Sequence, residues 1–362
     1  MNENEPKQKK DVIYAKGLKG VIATETGLSD VRGEEGHLLY CGYEIEDLVD
    51  LCSFTEIIYL LLNKRLPNRE ELEGLQQRLR NDRELPQPIL DFFKTATKTA
   101  RPMSALRTAV SMLGMYDDRT KDPSQMKEIG LSLIAKLPVM AAYYYRICQG
   151  LDLPPIRTDL GEAEHFLWLL KGTEPDPAEA HILDVAYILH ADHGMNASTF
   201  SARVTASTLS DMYSAITSAI GSLKGPLHGG ANEAVIEMLK EIGEEENVEE
   251  YINRKLANKE KIFGIGHRVY RTLDPRAPLL RRIAKIMRAR KNLNANVDFY
   301  SATVYYSLGI PTRMFTTLFA IARVAGWVAQ ILEQLEDNTL YRPLAAYKGP
   351  DDPLLVPMLD MR

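Results

Sequence analysis

Three segments of this chain concentrate histidine, glycine and arginine in ways that suggest chemistry. The first is His190-Ala191-Asp192-His193-Gly194. Ile182, Ala186 and Leu189 predict that both histidines lie on or near the apolar face of one helix, which Gly194 ends. Two histidines three apart can hold a metal, but no third ligand has convincing spacing, so no metal is expected. Core histidines satisfied by hydrogen bonds fit the same residues. The second segment is Gly225-Pro226-Leu227-His228-Gly229-Gly230-Ala231-Asn232, running into the helical stretch EAVIEMLKEIG. His228 falls just before a helix N-terminus, whose positive end disfavours imidazolium and predicts a neutral ring that can donate a hydrogen bond. Gly229 and Gly230 permit a backbone shape and a ligand approach that side chains would block. An ordinary Gly-rich turn with a surface histidine is the competing account.

The third segment, Gly264 to Arg276 (GIGHRVYRTLDPR), holds Gly266, His267, Arg271 and Arg276. It has neither the GK[ST] of a P-loop nor the third glycine of a dinucleotide fingerprint. Its arginines suit carboxylates and phosphates, although a basic surface loop fits equally well. Around it, residues 254–291 carry 13 Lys and Arg against Glu260 and Asp274, which reads either as a solvated face or as a docking surface for phosphates. Asp298 precedes a helical run ending near Gly309; it suits an N-cap, or a general base if shielded from water. Arg323 stands in the apolar run FAIARVAGWVAQ and needs a partner, either an acid of the chain or a bound carboxylate. Arg342, beside Pro343, reads alone as a surface arginine.

The elements that must position these residues are mainly helices. Residues 17–43 predict short strands and turns. From Ile45 onward helical periodicity dominates: Phe54, Ile57, Ile58 and Leu61 share one face, and Pro67 is expected to stop that run. Segments 103–116, 126–149 and 179–193 repeat the pattern. Residues 196–222, crowded with Ala, Ser and Thr, predict a buried central helix or helix pair. The fold class is mainly α. The 362 residues allow a large domain and a smaller one. A net charge of −5 argues against a general nucleic-acid binder. Cys41, Cys52 and Cys148 form no CxxC pair, which suits a reducing compartment. The polar start gives no signal or transit peptide, no uninterrupted apolar run is long enough to span a bilayer, and the cytoplasm is the expected location. Asn196-Ala197-Ser198 matches a glycosylation sequon and is read as chance.

Taken in order, GLKGVIATET (17–26), RGEEGHLLYCGYEIEDL (32–48), HADHGMNASTFSARV (190–204), GPLHGGANEAV (225–235), GIGHRVYRTLDPRA (264–277), NVDFYSA (296–302) and FAIARVAGW with YRP near the end resemble the citrate synthase family. The resemblance covers nearly the whole chain and is to the short form, without the extra N-terminal domain of the NADH-regulated hexameric branch. It implies a helical homodimer, or a larger assembly of dimers, with a large domain (1–222 and 310–362) and a small closing domain (223–309). It implies condensation of acetyl-CoA with oxaloacetate, giving citrate and CoA, with CoA as substrate and product and no permanent cofactor. Asp298 would take a methyl proton, His228 would stabilise the enol(ate), and His267 would polarise and protonate the oxaloacetate carbonyl. His193, Arg276 and Arg323 would hold the carboxylates, with Arg342 reaching in from the partner subunit. Arg271, Gly264, Gly266 and Lys261 would meet CoA.

The chain departs from the family pattern in three places. Only 18 residues (278–295) separate DPRA from NVDFYSA, where family members usually carry a longer helical stretch. Leu344 stands where a second arginine is usual, and Arg32 where an Asp is common. Two other readings accompany the resemblance. One is 2-methylcitrate synthesis from propionyl-CoA, which a single methylene in an apolar pocket separates by only about 1–3 kcal/mol. The other is an impaired homologue that serves as an assembly protein.

Overall fold

A computed structural model describes residues 14–264 and 297–350. Contacts divide the chain into two units, Met1–Glu25 with Tyr341–Arg362, and Thr26–Leu340. The described part of the first unit has no helix or strand apart from a 3-10 turn over Lys16–Leu18. It exposes Tyr14, Ile22, Leu344 and Tyr347 to solvent, Ile22 to 89%.

The second unit opens with three short antiparallel strands: β1 (Ser29–Arg32), β2 (His37–Tyr40) and β3 (Tyr43–Glu44). Ser29 pairs with Tyr40 and Arg32 with His37. Leu38 and Tyr40 are buried, so this small sheet is tied to the core. Helices follow almost without interruption: α1 (Ile45–Leu51), α2 (Phe54–Asn63), α3 (Arg69–Asn81), α4 (Gln87–Thr95), α5 (Pro102–Leu113), α6 (Met126–Gln149), α7 (Glu162–Lys171), α8 (Pro177–His190), α9 (Ala197–Ser207), α10 (Met212–Leu223), α11 (Ala231–Ile242), α12 (Val248–Ala257), α13 (Val297–Ser307) and α14 (Phe315–Glu336). The mainly α expectation holds. Local chemistry explains many starts. Ser53 with Glu56, and Asn68 with Glu71, form reciprocal capping boxes at α2 and α3. Asp176, Asn196 and Asp211 cap α8, α9 and α10 through their side chains.

Some sequence expectations need correction. The α2 run stops at Asn63 because Lys64 turns left-handed (φ 57), three residues before Pro67. The helix expected to carry His190 and His193 ends at His190, and its buried face is Leu183, Ala186, Tyr187 and His190, with Ile182 exposed. The stretch 312–336 is long and apolar enough to cross a membrane, contrary to the sequence reading, yet 94% of its most apolar window is buried inside the protein. It is a core helix.

That core helix, α14, is the axis of the second unit. It packs against α2, α6, α8, α9 and α10. A Cβ on Gly130 of α6 would come within 2.4 Å of Val328 Cγ1, so the missing side chain sets how closely these two helices approach. The expected small-residue pair is α9 and α10, where Ala202, Ala206, Ala215 and Ala219 are fully buried at i, i+4 spacing. α11 packs along α13. The Lys240 ammonium lies 5.7 Å from the Tyr306 ring, so the C-terminal ends of those two helices are adjacent.

Sequence periodicity does not reveal the buried charge of Arg83. It is 0% exposed and donates to Arg157 O (2.7 Å), Leu160 O (3.0 Å) and Glu162 Oε1 (2.6 Å). Removing one partner strands the other charge without solvent. Arg83→Met should therefore lower the unfolding free energy by about 3–5 kcal/mol, and the Arg83→Met/Glu162→Met double variant should recover part of the loss. Urea unfolding measures both; a single-variant loss below about 1 kcal/mol would mean the pair is solvated.

Candidate active site

The turn after α8 is built around Asp192, whose carboxylate is fully buried. Its Oδ2 accepts from Ser29 Oγ of β1 (2.6 Å) and from Gln330 Nε2 of α14 (3.0 Å). Burial pushes this carboxyl's pKa up; the Arg323 charge, these two donors and the His193 amide oppose it. Ser29 Oγ also accepts from Gly194 N (2.9 Å). Tyr40 Oη of β2 lies 2.9 Å from Asp192 O and 3.1 Å from Ile188 O. A Cβ on Gly326 would sit 2.1 Å from Ala191 O, so only glycine lets α14 approach the turn so closely. His193, half-buried, is held on this scaffold, three residues beyond the end of α8.

His190 serves the same scaffold. Its Nδ1 lies 2.7 Å from Ala186 O, and because a carbonyl only accepts, Nδ1 carries a proton that it donates. Its own carbonyl accepts from Arg323 Nε at 2.5 Å. His193 lies three residues past the end of α8, so the two histidines do not share one helix face as a metal pair three apart would require; no group of three metal-binding side chains occurs among the described residues.

Arg323 is buried, as its apolar surroundings in the sequence implied. Its guanidinium lies 4.7 Å from the Phe319 ring centroid. That ring also meets His190 edge-on at 4.9 Å and His228 at 6.3 Å. Phe319 thus brings both histidines and the arginine around one apolar plate.

His228 sits in the loop between α10 and α11, two residues before the α11 N-cap Gly230. The loop is wound onto the end of α10: His228 N donates to Gly225 O and Gly229 N to Leu223 O, both at 2.9 Å. A Cβ on Gly229 would come within 2.7 Å of Leu223 O, which excludes other residues there. The ring is aimed by α9. Its Nε2 lies 3.3 Å from Ser198 N and 2.8 Å from Ser198 Oγ. A backbone N–H can only donate, so Nε2 is the bare nitrogen and the proton of the neutral ring is on Nδ1. With Nε2 bare, the one Ser198 hydroxyl proton is donated to it, and Ser198 Oγ accepts from Trp327 Nε1 (3.2 Å); Asn196 Oδ1 lies at 2.8 Å from the same oxygen. Burial first, then the Arg323 charge, push the imidazole's pKa down to about 4. The expected neutral ring is present; its main cause is burial, where the sequence suggested a helix dipole.

Asp298 is the second residue of α13, inside its first turn; its side chain lies outside the described residues. α11, which follows the His228 loop, and α13, which carries Asp298, pack against each other. Gly266, His267, Arg271 and Arg276 lie outside the described residues. Gly264 is buried at φ 71, and the exposed Lys261 places its ammonium 4.9 Å from the Phe263 ring. Arg342 is exposed and belongs to the first unit. Sequence reasoning missed Ser198, Trp327 and Gln330. The available signal was Asn196-Ala197-Ser198-Thr199, read as a sequon: Asn196 Oδ1 instead accepts from the Ser198 and Thr199 amides at 3.1 Å, capping α9.

In an NMR titration, the His228 ring should remain neutral, with its proton on Nδ1, down to about pH 4. Arg323→Met should raise that midpoint by removing a repelling charge. The unfolded chain takes up this proton first, near pH ~6.5. The stability held by the neutral ring is therefore present above pH ~6.5 and is lost as pH falls towards the folded-state value. A midpoint at or above ~6.5 in the native protein would contradict the geometry.

Residues 17–344 match the family described as "Citrate synthase, C-terminal domain". Citrate synthase 2 of Bacillus subtilis is 49% identical over 95% of this chain and 98% of its own length. The solved citrate synthase of Thermotoga maritima superposes with a TM-score of 0.88 at 37% identity, covering 97% of this chain and 99% of its own. The Thermoplasma acidophilum enzyme, solved as a ternary complex with carboxymethyl coenzyme A and oxaloacetate, gives a TM-score of 0.87 at 31% identity, covering 96% and 99%.

Proposed function

The chain belongs to the citrate synthase family, and we propose that it joins acetyl-CoA to oxaloacetate with uptake of water, giving citrate and free CoA, through His228, His267 and Asp298. It is an acyltransferase of the citrate synthase type with the family's helical fold. The observation that carries the proposed mechanism is the pinned tautomer of His228. The methyl group of a thioester is a very weak acid, so a carboxylate alone cannot deprotonate it quickly. A neutral ring whose Nδ1–H is free for the thioester oxygen stabilises charge there as it develops. Ser198 N–H on Nε2 keeps that ring in the donating tautomer without making it a cation.

The steps follow from that division. Asp298 takes the methyl proton while His228 donates to the carbonyl oxygen. The enolic carbon attacks the oxaloacetate carbonyl carbon, and His267 protonates the resulting alkoxide. Water then splits the thioester, releasing the CoA thiol and citrate. His193, Arg276 and Arg323 hold the oxaloacetate carboxylates. Arg271, Gly264, Gly266 and Lys261 face CoA. Side chains supply all the acid and base, so no metal or redox cofactor is needed. Residues 223–309 act as the small domain that closes over residues 1–222 and 310–362 and excludes water.

The active form is a homodimer in which the partner's copy of Arg342 completes the site. The exposed apolar side chains of the first unit, Tyr14, Ile22, Leu344 and Tyr347, support a surface that another subunit covers. The cytoplasm suits the three free cysteines.

Thiol release from acetyl-CoA plus oxaloacetate tests the reaction. The wild-type chain should turn over, faster with acetyl-CoA than with propionyl-CoA, and Asp298→Ala should abolish the rate. Equal background rates in both proteins would identify an impaired homologue, and a propionyl-CoA preference would identify a 2-methylcitrate synthase. For the dimer, mixing inactive Arg342→Ala and Asp298→Ala chains should restore part of the rate in hybrids; no restoration would argue against a shared site.

A further inference from the structure

One contact group near His228 has no part in the mechanism above. Glu233 is the third residue of α11 and partly buried. Its Oε1 accepts from Thr316 Oγ1, in the first turn of α14, at 2.6 Å. Thr316 Oγ1 also lies 3.3 Å from Gly229 O, the carbonyl that follows His228. Thr316 is itself 2% exposed, so its hydroxyl has no water to fall back on. The Arg101 guanidinium lies 3.8 Å from Glu233 Oε2 but is 78% exposed, so that ion pair adds little.

These contacts complete the support of one loop. Its amides are spent on the end of α10, through His228 N and Gly229 N. Its ring is held by Ser198 of α9. Its carbonyl at Gly229 meets Thr316 Oγ1. Gly229 and Gly230 bring no side chains to stiffen the peptide planes, so an anchor on that carbonyl has unusual leverage over the backbone bearing His228.

We propose that Glu233 and Thr316 are positioning residues for the condensation, tying the His228 loop to α14 so that Nδ1–H points along the direction the thioester oxygen requires. Neither touches a reacting atom. They act through His228, and the inference rests on the role given to His228 above. The single Thr316 hydroxyl proton goes mainly to Glu233 Oε1 at 2.6 Å, with Gly229 O at 3.3 Å as the longer arm of a shared bond, so the two residues tie the first turn of α11 and the preceding carbonyl to α14. α14 carries Arg323 as well, so the latch registers the enolising side of the site against the carboxylate-binding side.

The test uses the full-length protein in the thiol-release assay, with folding monitored by circular dichroism and melting temperature. Thr316→Val keeps the shape and removes the hydroxyl. It should lower kcat by about 10- to 100-fold, the cost of a small misplacement of a catalytic donor. The KM for oxaloacetate should stay within about twofold, because its binders are untouched. Thr316→Ser restores the hydroxyl and should recover most of kcat. Glu233→Gln keeps an acceptor and should be mild, whereas Glu233→Leu should resemble Thr316→Val. If Thr316→Val does not fold, the Glu233 pair carries the same comparison. Unchanged kcat in Thr316→Val or Glu233→Leu, parallel losses of kcat and oxaloacetate affinity, or failure of the serine or glutamine variant to restore kcat would overturn the proposal. Absence of turnover in the wild-type chain would instead overturn the catalytic reading on which it rests.

Discussion

A carboxylate shut away from water must be surrounded by donors, and the site geometry depends on how Asp192 meets that requirement. Its donors come from different parts of the chain: Ser29 in the opening sheet and Gln330 in the long core helix. The same demand fixes the turn at Ala191–Gly194, because Ser29 also takes the Gly194 amide and Tyr40 takes the backbone at Ile188 and Asp192. The close approach is possible only where α14 has no side chain, at Gly326. Sheet, turn and helix are locked together before any substrate group is placed, and His193 and Arg323 inherit their positions from that lock.

The two histidines beside Phe319, one buried and one partly buried, show how backbone groups assign chemistry. At His190, a carbonyl on Nδ1 demands a proton there, and the residue becomes a brace for Arg323. At His228, an amide on Nε2 forbids a proton there, and Nδ1 becomes a donor. The same side chain thus has two uses, set by whether it meets a C=O or an N–H. Burial keeps His228 neutral, with help from the Arg323 charge, so the cation that suits a carboxylate also keeps its neighbour from becoming a second cation.

Much of this architecture could be read in the sequence because it rests on local signals. Helical periodicity and small residues located α5, α6, α8, α9 and α10 within a few residues, since burial on one face imposes spacing on the chain. The His228 loop was legible from its glycines, whose absent side chains answer steric demands within a few residues. What stayed hidden depends on distant partners. Nothing around Arg83 announces that carbonyls more than seventy residues away will surround it. Asn196 could be seen as a sequon but not as the cap that seats Ser198 under His228, because the His228 contact spans thirty residues. His193 was misplaced onto a helix because the apolar pattern continues past the point where α8 ends. The apolar character of α14 is plain in its sequence, but length and composition alone do not separate a bilayer span from a core helix; burial by its neighbours does.

The burial of α14 also bears on the order in which the molecule comes apart. Its residues from Phe315 to Ile331 are buried on every side, so its amides should exchange with solvent only when the core as a whole opens. Arg323 and Trp327 ride on that last-opening element. The binding geometry for an anion is therefore built into the protein's global cooperativity and should persist, nearly unsoftened, until the temperature at which the fold itself gives way.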